Sequence, residues 1–154
     1  MSVEMKMVRL LPNAVLPAYA HEGDSGMDLT TPVDIVLEPG VPYFVDIGVA
    51  IELPPGCEGQ IRSRSGLTKR GLTACSGVGT VDNSYRGSLG VTLLWHATVT
   101  SGPSDSWTLQ AGSRIAQLVI APVVRVEPVE VASVAEMSET ARGGNGFGSS
   151  GGMR

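Results

Sequence analysis

Glycine and proline punctuate this chain so evenly that long regular helices have nowhere to form. Twenty glycines and ten prolines are spread along 154 residues, and no window of a dozen keeps a 3.6-residue apolar period. Short apolar or alternating runs recur instead, at residues 5–11, 34–37, 43–53, 59–62, 89–95, 107–109, 115–121 and 123–131. Turn signals separate them: Glu38-Pro39-Gly40, Pro54-Pro55-Gly56, Ser101-Gly102-Pro103 and Gln110-Ala111-Gly112. Alternation is cleanest in Leu89, Val91, Leu93 and Trp95, with Gly90, Thr92 and Leu94 facing the other way. Many short strands at this spacing predict an all-β chain built as a sandwich, jelly roll or barrel. One short helix is expected over 67–70, closed by Gly71.

The length suits one domain, expected over residues 1–134, with its own core. From residue 135 the chain turns polar and ends in a glycine- and serine-rich run too poor in apolar surface to order itself. Residues 135–154 are therefore expected to be a flexible arm. The lone Phe147 within it suggests an arm that orders on a ligand, with Phe147 to stack and Arg142, Ser149 and Ser150 to hydrogen-bond. Gly146-x-Gly148-x-x-Gly151 matches a dinucleotide fingerprint in letters only, because that motif needs a following helix.

No apolar run reaches the length of about 18 residues that a membrane helix needs. The first eleven residues carry Glu4, Lys6 and Arg9 and no apolar signal region, so a soluble cytoplasmic protein is expected, in the host cytoplasm if the source is viral. Cys57 and Cys75 form no metal-type cluster, and His21 and His96 are isolated, so free thiols and no catalytic or metal-binding histidine are expected. A net charge of −4 speaks against general nucleic-acid binding. Nine of the eleven basic residues are Arg, however, and the planar guanidinium fork suits phosphate or carboxylate. Arginines at glycine-rich turns of an acidic chain fit a small polyanion whose charge a divalent cation offsets.

The stretch Gly77-Val78-Gly79-Thr80-Val81-Asp82-Asn83-Ser84-Tyr85-Arg86-Gly87 concentrates glycines, one carboxylate and one aromatic. It has the composition of a tight hairpin whose backbone something approaches closely. Taken alone it reads more readily as a surface turn, since Asp, Asn and Ser favour turns through their own backbone hydrogen bonds.

Four further segments stand with it in order: Ser25-Gly26-Met27-Asp28-Leu29, Arg64-Ser65-Gly66-Leu67, Gly112-Ser113-Arg114-Ile115-Ala116-Gln117-Leu118, and the arm from Arg142 to Gly151. On these five segments the sequence resembles the trimeric dUTPase (dUTP diphosphatase) family. The resemblance implies a jelly-roll-like (β-clip) subunit, a homotrimer with shared active sites, and a C-terminal arm that closes over the nucleotide. It also implies Mg²⁺-assisted hydrolysis of dUTP to dUMP and pyrophosphate, which limits uracil in DNA and supplies dUMP for thymidylate synthesis.

Carried over by position, Asp82 matches the general base that activates the water attacking the α-phosphorus. Arg64, Ser65 and Gly66 match a phosphate-binding turn and Gln117 another phosphate contact. Arg142, Gly148, Ser149 and Ser150 would hold the distal phosphates. Ser76, Gly77, Thr80, Val81 and Gly90 would form the uracil hairpin, with Tyr85 under the deoxyribose and Phe147 over the base. No residue is expected to bind Mg²⁺ directly. Asp28 would support that end of the site indirectly, or simply fix local structure at a strand end, and Arg114 would tie strands through an ion pair. Ser63, Ser76, Ser84 and Asn145 depart from residues usual in the family. The related dCTP deaminase branch is disfavoured, because its catalytic Glu falls at Thr92 here. A regulatory protein partner is the remaining alternative role, with the polar loop 98–106 as its docking surface.

Overall fold

The computed structural model describes residues 3–74, 77–96 and 106–145. Among the described residues, eleven strands run through the first compact unit, Met1–Val124. They are β1 (Lys6–Arg9), β2 (Met27–Thr30), β3 (Ile35–Leu37), β4 (Pro42–Asp46), β5 (Val49–Glu52), β6 (Cys57–Arg62), β7 (Leu72–Ala74), β8 (Val78–Val81), β9 (Gly90–Trp95), β10 (Trp107–Leu109) and β11 (Arg114–Pro122). One helical turn, α1 (Ser65–Thr68), sits between β6 and β7. It lies two residues earlier than the sequence predicts, and Gly71 follows it with φ +80°, the left-handed conformation that ends helices.

Among the described residues all strand ladders are antiparallel, in four sheets. The largest has the order β2-β11-β6-β8, the next β4-β9-β7, and two pairs complete the set, β1-β5 and β10-β3. The larger sheets share one core: Leu29, Ile61, Val81 and Leu118 come from the first, Val45, Leu72, Val91 and Leu93 from the second. The period-two pattern decides which side chains enter it. In β9, Val91 and Leu93 are buried while Gly90, Thr92 and Leu94 are only partly so. Short strands, antiparallel pairing and two sheets over one core make this an all-β, jelly-roll-like chain.

Three sequence expectations change. The run 43–53 is two strands, because Gly48 at φ +71° turns the chain between β4 and β5. Residues 123–131 form no strand: β11 stops at Pro122, Pro128 cannot donate to a ladder, and Val124, Val126 and Val129 stay exposed. Short β2 and β7 lie where the sequence showed no separate run.

The second compact unit, Arg125–Arg154, holds a 3-10 turn at Val134–Glu136. The Glu136 carboxylate accepts the Ala132 N–H at 3.1 Å beside that turn.

Candidate active site

Residues from β2, the β6–α1 connection and β11 line a polar cleft of about 440 Å³. Asp28 organises it. Its Oδ1 takes the Arg64 Nε at 2.9 Å and its Oδ2 takes an Arg114 terminal nitrogen at 3.1 Å. Arg64 also donates to the Arg114 carbonyl at 3.1 Å. One carboxylate thus fastens two guanidiniums from separate parts of the chain, which charge-assisted bonds do well. Asp28 reaches them because β2 and β11 pair with Gln117 opposite Asp28, and a register shift between Arg114 and Ala116 re-aims Arg114.

Gln117 faces the same cleft and donates to the Ser63 carbonyl at 2.8 Å. A Cβ on Gly26 would lie 2.5 Å from the Gln117 Oε1 and 3.2 Å from its Cβ, so Gly26 keeps Gln117 in place by having no side chain. Ser65 and Gly66 open α1 at the rim. The Asp24 and Asp28 carboxylates balance the Arg64 and Arg114 guanidiniums. Among the described residues, no group of three His, Cys, Asp or Glu could hold a metal ion.

A second pocket of about 280 Å³ gathers Phe44, Thr80, Val81, Asp82, Tyr85, Ser88 and Gly90 among its lining. β8 is the edge of its sheet, so alternate residues along it turn backbone N–H and C=O groups outward. Gly77, at φ +84°, turns the chain into β8 and lines neither cavity. The expected hairpin is a crossover instead: β8 pairs with β6, whereas β9 pairs with β4 and β7. Leu89 draws the chain across by bonding both ways with the β4–β5 corner, its N–H to Val49 at 2.8 Å and its C=O from Ile47 at 2.9 Å. Ser88 bonds to the Asp46 carboxylate, which also takes the Gly48 N–H at 2.8 Å.

Asp82 is exposed at the rim of this pocket, directly after β8. Tyr85 is 47% exposed and donates its hydroxyl to the Ser88 carbonyl at 2.8 Å, which fixes the ring. Gly90 abuts Phe44, whose ring a Cβ there would overlap.

The structure therefore brings Asp28, Arg64, Ser65, Gly66 and Gln117 together in one cavity and Thr80, Val81, Asp82, Tyr85 and Gly90 in another. The two share no lining residue. Arg142 belongs to the second unit, where its Nε donates to the Asn145 carbonyl at 2.7 Å. Ser76, Phe147, Gly148, Ser149 and Ser150 lie outside the described residues, as does loop 98–106 except Ser106. Asp24, Phe44, Asp46 and Ser88 went unnoticed in the sequence; each is an isolated side chain whose place depends on pairing far along the chain.

The dUTPase family model matches residues 12–151. A deoxyuridine 5'-triphosphate nucleotidohydrolase of Gloeothece citriformis is 45% identical over 150 residues, covering 97% of each chain. Among solved structures, a Staphylococcus bacteriophage 80alpha dUTPase with dUPNHPP is similar, with a TM-score of 0.86 and 29% identity. That match covers 97% of this chain and 99% of the phage chain. A mutant dUTPase from phage phi11 of S. aureus, described with a structural Mg(II) ion, matches with a TM-score of 0.76 and 27% identity over 86% of this chain and 99% of its own. A family model spanning nearly the whole sequence, and a relative this similar along its full length, place the chain in the dUTPase family.

Proposed function

We propose that this chain is a dUTP diphosphatase, hydrolysing dUTP to dUMP and pyrophosphate. The observation that carries the proposal is the division of labour between its cavities. One is lined by guanidiniums, glycine and amide groups suited to phosphate oxygens. The other is bounded by an edge strand, a tyrosine ring and a carboxylate at the rim.

In this reading uracil lies against the free edge of β8 and the start of β9, where backbone donors and acceptors imitate a pairing base. Cytosine is rejected because its reversed donor pattern leaves those groups unpaired. Tyr85, fixed through Ser88, packs against the deoxyribose and leaves no room for a 2′-hydroxyl. Asp82 holds and deprotonates the attacking water, which needs only an ionised carboxylate within hydrogen-bond reach. The new P–O bond forms at the α-phosphorus as the bond to the β-phosphate bridge oxygen breaks, and pyrophosphate leaves. Arg64, Ser65, Gly66 and Gln117 hold phosphate oxygens. Mg²⁺ would be held by the triphosphate and water and would offset triphosphate charge that a cleft with balanced carboxylates and guanidiniums leaves unmatched. Asp28 supports it only by orienting Arg64.

The same reading assigns a homotrimer with shared sites, as the dUTPase family implies, and it is supported by the fact that neither cavity alone holds both nucleoside and phosphate groups. Apolar surface supports association: Phe44 is 66% exposed, and a groove of about 700 Å³ is lined by Met5, Met7, Pro17, Tyr19, Met27 and Ile120 among others. The arm beyond residue 134 would bring Arg142, Phe147 and the Gly148-Ser149-Ser150 run over the bound nucleotide. The testing experiment is a substrate panel of dUTP, dTTP, dCTP and UTP, with and without Mg²⁺, on the unaltered chain and on Asp82→Asn. Expected is Mg²⁺-dependent pyrophosphate release from dUTP alone, abolished in the variant while nucleotide still binds. Equal activity on UTP overturns the role of Tyr85, and a normal rate in Asp82→Asn overturns that of Asp82.

A further inference from the structure

Asn83 follows Asp82 directly, and its side chain turns away from the pocket into the neighbouring loop. Its Nδ2 donates to the Pro54 carbonyl at 2.7 Å and the Cys57 carbonyl at 3.1 Å, with the Leu53 carbonyl at 3.4 Å. An amide NH₂ has two protons to give, and two close acceptors take them. The acceptors belong to the turn between β5 and β6 and to the first residue of β6, and Pro54 and Pro55 stiffen that turn by fixing φ. The anchor is therefore rigid and lies 29 and 26 positions away in the chain.

The same turn is clamped from within. One Arg86 nitrogen donates to the Asn83 carbonyl at 2.6 Å and the Tyr85 carbonyl at 2.7 Å. The Tyr85 N–H closes the turn on the Asp82 carbonyl at 3.0 Å. Asp82 is exposed, so the aim of its carboxylate is only as well defined as the backbone that carries it.

We infer that Asn83 is a positioning residue for the hydrolysis: its amide pins the Asp82 turn to the Pro54–Cys57 turn and so fixes the direction of the Asp82 carboxylate. The inference rests on the reading of Asp82 as general base. The site demands a donor. An Asp at 83 has the same shape but turns a carboxylate towards carbonyl oxygens, whereas Gln keeps the donor on a stem one methylene too long.

The test uses full-length Asn83→Ala, Asn83→Asp and Asn83→Gln beside Asp82→Asn. Pyrophosphate release gives kcat and KM, calorimetry with a non-hydrolysable dUTP analogue gives Kd, and thermal unfolding reports the fold. A carboxylate swung off its water costs turnover more than binding, so kcat falls roughly 10- to 100-fold in Asn83→Ala. It falls further in Asn83→Asp and recovers in part in Asn83→Gln, while the analogue Kd stays within about threefold. The inference is overturned if all three variants keep kcat within about twofold, or if Kd rises in step with the fall in kcat. Should Asn83→Asp not fold, the ranking of Ala below Gln decides alone. A normal rate in Asp82→Asn defeats the general-base reading instead, whatever the order at position 83.

Discussion

Replacing Asp28 by Asn separates an orienting carboxylate from a metal ligand. The amide keeps the shape and one acceptor oxygen, but turns an NH₂ towards one of two guanidiniums. The Arg64 side chain is 29% exposed and that of Arg114 54%, so the oxygen stays with the more enclosed Arg64 and Arg114 turns to water. A half-exposed pair such as Arg114–Asp28 is worth about 0.5 kcal/mol. Losing the charge on one side of the Arg64 bond costs about 1 kcal/mol more. The sum is about 1.5 kcal/mol, or roughly 3–6 °C in the unfolding midpoint of a chain this size. The loss shrinks in concentrated salt, which screens the exposed pair.

Turnover drops as well, by about three- to tenfold, because Arg64 is then aligned by a neutral oxygen and the Arg114 carbonyl. The Mg²⁺ concentration giving half-maximal pyrophosphate release does not move, since Asp28 has both oxygens committed to arginine. The assay is thermal unfolding at low and high salt together with a Mg²⁺ titration of pyrophosphate release. A rise of about tenfold in the half-maximal Mg²⁺ concentration would show a lost metal ligand and refute the reasoning. An unchanged midpoint at low salt would show that the clasp adds nothing to stability.

Gly26→Ala sets a methyl 2.5 Å from the Gln117 Oε1, so Gln117 releases Ser63 and leaves the cleft. The unfolding midpoint changes little while KM for dUTP rises, and an unchanged KM removes Gln117 from the phosphate contacts. Gly48→Ala combines φ +71° with contacts of 2.7–2.9 Å to the Leu11 side chain. We expect about 2–3 kcal/mol of destabilisation, measured by denaturant unfolding; a loss below about 0.5 kcal/mol would mean the corner relaxes freely. Deleting residues 141–154 leaves the first unit folded, with an unchanged unfolding midpoint and severely reduced turnover. Unfolding of that variant would make the arm part of the core.

The all-β class was legible because breakers and two-residue alternation are local properties, and Gly40, Gly56 and Gly112 all sit at positive φ where turn signals marked them. Where the β4–β5 run divides was less legible, because Gly48 lies in an apolar stretch that looks continuous. The partner of β8 was not legible at all. Sequence neighbours suggest a hairpin, but pairing with β6 is decided by the burial of Ile61 and Val81 and by Leu89 bonding to the opposite corner. Motif residues named some of the residues that line the two cavities, without their grouping. Arg114 was expected to form an ion pair; that Asp28 would hold it and Arg64 at once follows from a register no local pattern contains.

The position of β11 has a consequence for how the chain acquires its site. This strand, Arg114–Pro122, inserts between β2 and β6, both of which precede it by fifty residues or more. During synthesis β2 and β6 emerge first and wait with open edges, unable to complete their sheet. Such long-range closure is slow, and waiting edges are where nascent chains associate wrongly. The polar cleft draws on β2, β11 and the turn that follows β6, so it comes into being in one step, when β11 slots home. A ribosome-bound chain truncated before Gln117 has no cleft to offer a phosphate.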